Sequence, residues 1–336
     1  MDPETIHTIE HVPHGSTDDQ SLLDFSANIN PHVPAGVEEV YTGALERARR
    51  YPPEPPTEFL EAASSAVGCQ RNQIIPTPGG LAMLRLAIEV TVQHGDSVLV
   101  PTPSFSEYQR EVRLQGAYPE CVPYNDILSI DPSGHQLAIV CNPNNPTGTL
   151  YPHSELREFA VRCQEAETPL LLDEAFLDFT NEPSLAGMEN VIVARSLTKV
   201  FGLPGIRMGY GVASGRVLEA LQAARRPWNM SRPALAVATH CLGQQNFISK
   251  TRERTTIERR YLENALSDFF SVFDSAAPFL LLHVGDRSVP DICTTAATEG
   301  IALRDATTFR GLDSHIRVAV RTREENDKLL SVLSNV

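Results

Sequence analysis

Residues 190–209 read NVIVARSLTKVFGLPGIRMG, and this stretch decides the fold. Val191 to Ala194 form a short apolar run, the mark of a buried strand, and the Ser-Leu-Thr-Lys segment that follows puts Lys199 just past the strand exit. Val200 and Phe201 come next, so the amine sits where water is scarce. Burial disfavours the charged form of an amine, and a neutral lysine adds to an aldehyde to give an imine. Only Lys250 and Lys328 accompany Lys199 in the whole chain, arginine supplying the other basic residues. A lysine kept at this place therefore reads as chemistry rather than as solvent-facing charge.

Upstream the same texture recurs. Strands are predicted at QIIPT (73–77), DSVLVP (96–101), AYPECVPY (117–124), QLAIVC (136–141) and PLLLD (169–173), with NVIVAR (190–195) as the sixth. Helical spacing separates them: Leu81, Leu84 and Ile88 mark one face over 80–93, and Leu156, Phe159, Ala160 and Cys163 mark another over 154–165. Strands alternating with helices predict an α/β fold built on a large, doubly wound, mostly parallel sheet. After residue 230 the pattern changes to an amphipathic helix near 251–270, two short strand candidates, PFLLLHV and HIRVAV, and a last helix introduced by a capping-box pair, Thr322 and Glu325. The predicted division is an N-terminal arm with part of a small domain (1–40), a large domain (41–230) and a smaller α+β domain (231–336). The prolines of YPPEPP (51–56) call for an extended connection.

In open α/β sheets ligands bind beyond the carboxyl ends of the strands. Five such ends carry unusual residues here: ProGlyGly (78–80), PTPSFSEY after 100, NPNNPTG after 141, DEAFLDF from 173, and the SLTK stretch. Asp173 ends a leucine run, where an unpaired carboxylate is costly and a protonated ring nitrogen is a fitting partner. Gly79 and Gly80 open a helix whose first N–H groups suit a phosphate, with Ser196, Thr198 and Arg207 near enough in sequence to complete the cup. Phe105 offers a ring to stack on a flat ligand. In HIRVAV, Ile316, Val318 and Val320 share one face while Arg317 and Arg321 share the other; Arg304 follows the apolar GIAL. Arginines at strand ends suit carboxylate or phosphate.

Composition narrows the alternatives. With a formal charge of -14 at pH 7 the chain lacks the basic surface that nucleic acid requires, so a small molecule is the expected partner. Acid excess with scarce lysine suits a salt-rich cytoplasm. Six cysteines without CxxC spacing signal neither a zinc site nor a disulfide framework. The start, MDPETIHTIE, is acidic without an apolar segment, and no apolar run reaches the ~18 residues of a membrane span. A cytoplasmic location is expected. His11 and His14 are parted by Pro13, which disfavours a helical metal pair, and no GxSxG elbow or dinucleotide fingerprint occurs, so no metal is expected.

Together these motifs resemble the fold-type I pyridoxal-phosphate family, in the class I/II aminotransferase branch that includes histidinol-phosphate aminotransferase and threonine-phosphate decarboxylase. The resemblance covers nearly the whole chain. It implies pyridoxal 5'-phosphate joined to Lys199, with Asp173 on the ring nitrogen, Asn145 of NPTG on the ring oxygen and Phe105 stacked on the ring. It places the cofactor phosphate on backbone from Gly79 through Gly80 to Leu81, on Ser196, Thr198 and Arg207, and on Tyr51 of a neighbouring subunit, which implies a homodimer.

Within the branch, LLDFSANINP (22–31) with His14 and Gly15 before it, DEAFLDF with Phe176 where transaminating relatives usually carry tyrosine, and IRVAVRTREEN resemble the decarboxylase of cobalamin synthesis. The implied substrate residues are Arg317, Arg304, His14, Asn30 and Arg321. O-phosphothreonine would displace Lys199 from the cofactor, lose the carboxylate set perpendicular to the ring and regain a proton at Cα from Lys199. Two alternatives stand beside this: an aminotransferase acting on histidinol phosphate or a related compound, and a non-catalytic binding protein on the same fold.

Overall fold

Apolar runs of four to six residues, separated by helices with one apolar face, set the order of elements in the computed structural model, which describes residues 6–335. The first five residues of the acidic start lie outside them. The N-terminal part holds β1 (Leu23–Asp24), α1 (Val37–Leu45) and α2 (Thr57–Val67). Next come β2 (Ile74–Thr77), α3 (Gly80–Thr91), β3 (Ser97–Thr102), α4 (Glu107–Leu114), β4 (Tyr118–Pro123) and β5 (Leu137–Cys141). They are followed by α5 (His153–Glu165), β6 (Leu170–Asp173), β7 (Val191–Ser196), α6 (Leu197–Val200), β8 (Gly209–Val212) and α7 (Gly215–Ala224). The last part holds α8 (Arg232–Leu242), α9 (Gln245–Leu266), β9 (Ser271–Val272), β10 (Phe279–His283) and α10 (Val289–Thr298). It ends with β11 (Ile301–Ala302), β12 (Arg304–Asp305), β13 (His315–Ala319) and α11 (Arg323–Leu333).

The large sheet has seven strands in the order β2-β8-β7-β6-β5-β3-β4. The β3–β4, β3–β5, β5–β6 and β6–β7 pairs are parallel, and β8 runs antiparallel to both its neighbours. All six predicted strands lie in it; β8 is an addition. Its sequence, GYGV, has low strand propensity, but Gly211 is needed where a Cβ would come within 2.2 Å of Met83 Sδ.

Burial on both faces explains the unbroken apolar runs. Ala138 and Val140 of β5 enter one core while Leu137, Ile139 and Cys141 enter the other, and Leu170 and Leu172 of β6 are divided from Leu171 in the same way. Helix α5 covers the first core with Leu156, Phe159, Ala160 and Cys163, the four residues its spacing singles out. Helix α3 covers the second with Met83, Leu84, Ala87 and Ile88. Leu81, expected on that face, instead stands 36% exposed beside the strand ends. Each fully buried aliphatic side chain contributes about 1.5–3 kcal/mol, which makes the central strands the most secure part of the molecule.

The second sheet is antiparallel, β12-β13-β10-β9, and β1 pairs in parallel with β11, so the N-terminal segment is built into the C-terminal part. Ile316 and Val318 face the core of this part, which leaves Arg317 on the opposite face. Helix α9 is one continuous element of 22 residues that starts six residues before the predicted helix and ends four residues before its end. Thr322 and Glu325 form the expected capping box, each side chain taking the other's backbone N–H. Among the described residues no helix is long and apolar enough to cross a membrane, and no group of three or more His, Cys, Asp or Glu is placed to hold a metal ion.

Candidate active site

The carboxyl ends of β2, β3, β5, β6 and β7 open onto one cavity of about 320 Å³. Gly80 and Leu81, Phe105 and Ser106, Cys141 and Asn145, Asp173 and Phe176, and Ser196, Thr198, Lys199 and Arg207 line it, strand by strand. Arg304, Phe309 and Arg317 close it from the C-terminal part, and Val12 to Gly15 with Asn28 from the N-terminal segment.

Lys199 is held inside by α6, and burial, helped by the charges of Arg317 and Arg207, lowers its pKa to about 8. Asp173 is buried at the end of β6. Burial pushes its pKa up, against the Tyr108 hydroxyl, which donates to Oδ2 at 2.7 Å, and the Ala175 N–H, which donates to Oδ1 at 3.0 Å. The neighbouring Glu174 turns away, taking Arg195 at 2.9 Å and the Ser184 hydroxyl at 2.6 Å.

At the other end of the cavity the N-terminus of α3 has no side-chain cap. Gly79 adopts φ 91° there, and a Cβ on it would come within 2.5 Å of Arg207 Nη2. Arg207 is itself in the left-handed region, φ 57°, a conformation that costs a non-glycine residue free energy and is found where a site fixes it. Ser196 Oγ and Thr198 Oγ1 lie 2.8 Å apart in the same corner. Free N–H groups, two hydroxyls and a guanidinium make a cradle for a phosphate.

Two further cations face the cavity without a carboxylate. Arg317 donates through Nη1 to Asn145 Oδ1 at 2.5 Å and through Nη2 to the Ser26 carbonyl at 2.8 Å, and its Nε is buried without a partner. Arg304 donates through Nη2 to the Pro13 carbonyl and to Thr308 Oγ1, both at 2.8 Å. Neither makes an ion pair among the described residues. Burial and their mutual repulsion lower the pKa of Arg317. His14 joins them at the rim, its Nε2 2.9 Å from Glu107 Oε1.

The structure thus gathers Lys199, Asp173, Asn145, Phe105, Gly79, Gly80, Leu81, Ser196, Thr198, Arg207, Arg304, Arg317 and His14 at or beside one cavity. Three predicted site residues lie elsewhere. Asn30 is a buried structural residue, its amide donating to the Val200 carbonyl and to Thr251 Oγ1. Arg321 is drawn to Glu325 and the Asp24 carbonyl, because β13 ends at Ala319 and the strict alternation no longer aims it with Arg317. Tyr51 is 74% exposed, its ring 4.8 Å from that of Trp228 and away from the cavity of its own chain. Sequence reasoning missed Tyr108, Asn28 and Phe309. For Tyr108 a signal existed, since it stands three residues after Phe105 at the start of a helix and so shares its side.

A buried amine with a lowered pKa, a buried acid beside it and a phosphate cradle at a sheet's carboxyl edge define an enzyme that carries an aldehyde cofactor with a ring nitrogen and a phosphate. The chain belongs to the aminotransferase class I and II family, which matches residues 20–333. It binds pyridoxal 5'-phosphate, and the residues present fit that group: the orphaned Arg317 Nε, the uncapped helix and the glycine cradle all await an anion or a ring oxygen. The chain is 32% identical to a provisionally named threonine-phosphate decarboxylase of Caldanaerobacter subterraneus subsp. tengcongensis, over 91% of this chain and 88% of the other. It is 30% identical to histidinol-phosphate aminotransferase 2 of Archaeoglobus fulgidus, over 95% and 94%. The solved structure of L-threonine-O-3-phosphate decarboxylase from Porphyromonas gingivalis superposes with a TM-score of 0.84 at 25% identity, covering 93% of this chain and 98% of that one.

Proposed function

We propose that the chain decarboxylates L-threonine O-3-phosphate to (R)-1-amino-2-propanol O-2-phosphate, as a step of cobalamin synthesis. The observation that carries this reading is the pair of buried guanidinium groups, Arg304 and Arg317, that share the cavity with Lys199 and, among the described residues, have no carboxylate of their own. An amino-acid phosphate brings two anionic ends, and two arginines freed from ion pairs are suited to both. The cavity volume lies at the low end of small-molecule sites, in keeping with a cofactor plus a short substrate.

Bound pyridoxal 5'-phosphate supplies a carbonyl that condenses with amines and a ring that accepts the electron pair of a bond broken at Cα. In this reading Lys199 would carry the cofactor, Asp173 would hold the proton on its ring nitrogen, Asn145 would donate to its ring oxygen and Phe105 would pack against the ring. Ser196, Thr198, Arg207 and the first N–H groups of α3 hold its phosphate. Arg317 and Arg304, with His14, would hold the substrate's carboxylate and phosphate and so orient it within the cavity. Phe176, Phe309 and Leu81 exclude water, and Lys199 Nζ returns a proton to Cα once carbon dioxide has left. One proton is consumed for each carbon dioxide released. The reading includes a homodimer, in which the exposed Tyr51–Trp228 pair meets the second subunit and Tyr51 reaches its cofactor phosphate, and a cytoplasmic location, supported by six unpaired cysteines.

Incubation with O-phosphothreonine and cofactor is expected to release carbon dioxide without any keto acid. Strict dependence on 2-oxoglutarate would overturn the proposal in favour of the aminotransferase reading, with histidinol phosphate as the substrate to try. A visible cofactor band that neither substrate perturbs would favour a non-catalytic binding protein.

A further inference from the structure

Tyr108 is fully buried on the first turn of α4, behind Asp173 as seen from the cavity. A buried tyrosine hydroxyl must find an acceptor, and a backbone carbonyl would serve. This one instead donates to Asp173 Oδ2 at 2.7 Å and is the one side-chain donor to that carboxylate among the described residues. The Tyr108 ring also meets the ring of Phe105 edge to face, centroids 5.5 Å apart at 83°. The entry to α4 therefore ties Phe105, which lines the cavity, to the residue that holds Asp173.

We infer that Tyr108 is a positioning residue for the cofactor, acting through Asp173 to set where that carboxylate presents its free lone pairs to the ring nitrogen. A carboxylate has about four acceptor sites, and the Tyr108 hydroxyl and the Ala175 N–H take one on each oxygen, leaving the remainder directed by those two bonds. The groups around Asp173 reinforce the arrangement. Glu174 is committed to Arg195, and Cys141, in register with Asp173 on the neighbouring strand, donates to the Pro143 carbonyl at 3.3 Å. Burial and the Asp173 charge push the Tyr108 pKa well up, so the hydroxyl stays a donor throughout the working range of pH. Without it, Asp173 would keep one backbone donor against its full burial, its pKa would rise further, and its hold on a ring-nitrogen proton would weaken.

The test uses the full chain. Tyr108→Phe keeps the ring and the packing, and is expected to weaken pyridoxal 5'-phosphate binding to the apoprotein by about tenfold or more, the usual effect of losing a hydrogen bond to a charged group. The visible absorption of the bound cofactor should titrate at lower pH. In an Asp173→Asn background the same substitution should change cofactor affinity less than about twofold, since the carboxylate charge through which Tyr108 acts is gone. Tyr108→His returns a ring N–H donor and should recover most of the lost affinity. Wild-type affinity and titration in Tyr108→Phe would overturn the inference, as would an equal loss in the Asp173→Asn background. If Tyr108→Phe does not fold alone, the histidine variant and the Asp173→Asn pair still decide, because a purely structural tyrosine predicts no recovery with histidine.

Discussion

Arg317 Nη1 donates to Asn145 Oδ1 at 2.5 Å, which joins a strand of the small sheet to the loop leaving β5 of the large one. The bond occupies the amide oxygen of Asn145, so the amide nitrogen is the group left for a ligand. It also holds Arg317 with a neutral acceptor, and the full guanidinium charge stays available to the cavity. Lysine in this position would keep the charge but not the fork. On the proposed function, Arg317→Lys is therefore expected to lower kcat/KM for O-phosphothreonine by about 100-fold while the visible cofactor absorption is retained. Steady-state assay of carbon dioxide release checks this, and an unchanged kcat/KM would remove Arg317 from the substrate site.

Gly79→Ala should act on the cofactor rather than on the substrate. The new methyl would meet Arg207 Nη2 at 2.5 Å, and φ 91° is strained for alanine, so the phosphate cradle must open. Cofactor affinity of the apoprotein is expected to fall by roughly tenfold or more, the scale of a lost hydrogen bond to a charged group. Gly43→Ala is the control: it lies within α1 with nothing within 4 Å, and should raise thermal stability slightly, by about 0.5–1 kcal/mol. Fluorescence titration with cofactor separates the two variants.

These two sites also show how far the sequence reaches. Gly79, Lys199, Asp173 and Asn145 are legible because strand periodicity locates the carboxyl ends of β2, β5, β6 and β7, and those ends share one edge by the topology of a parallel sheet. Arg321 and Asn30 are not, because their direction is fixed by Glu325, Val200 and Thr251, partners that spacing along a strand does not reveal. Strand β8 escapes for a related reason: Gly211 is there for the close approach of Met83 and Gly209 for that of the Arg195, Gly79 and Gly80 backbone, tertiary demands that outweigh local propensity. Tyr108 shares the side of Phe105 by its spacing, but that pattern is also the pattern of core, and its 2.7 Å bond to Asp173 is what tells the two apart.

The N-terminal segment is fastened over the cavity at three points: Arg304 to the Pro13 carbonyl, Arg110 Nε to the Glu10 carbonyl at 3.2 Å, and His14 to Glu107. Burial acts to raise the Glu107 pKa, but the His14 hydrogen bond and charge, with Arg110, bring it below the usual glutamate range. A lowered carboxylate pKa means stabilisation that is present at neutral pH and is lost as pH falls through that range. Glu107→Ala should therefore free His14 and, on the proposed function, raise KM for O-phosphothreonine about three- to tenfold with kcat within twofold. Hydrogen exchange over residues 10–15 should quicken in the variant at pH 7 but differ little from wild type near pH 3. An unaltered KM together with unaltered exchange would show that the segment is held without this pair.

If Lys199 carries the cofactor, as proposed, it sets the pH dependence of cofactor capture. Its pKa is lowered from the ordinary 10.5 to about 8, chiefly by burial and then by Arg317 and Arg207, with Asp173 opposing. Only the neutral amine attacks the cofactor carbonyl, so the rate of capture by the apoprotein should rise from pH 7, where about a tenth of the lysine is neutral, and level off above pH 9. The sign for stability is the same. Between the folded and the unfolded pKa the unfolded chain binds more protons, so the apoprotein gains stability as pH rises through this window and is least favoured below it. Replacing Arg317 by Gln removes one of the two cations and should move the midpoint of capture upward. Stopped-flow absorbance of cofactor binding between pH 6.5 and 10 measures both midpoints. A wild-type midpoint near 10 would mean that Lys199 titrates as a solvated lysine, and burial at the exit of β7 would then have no part in making it reactive.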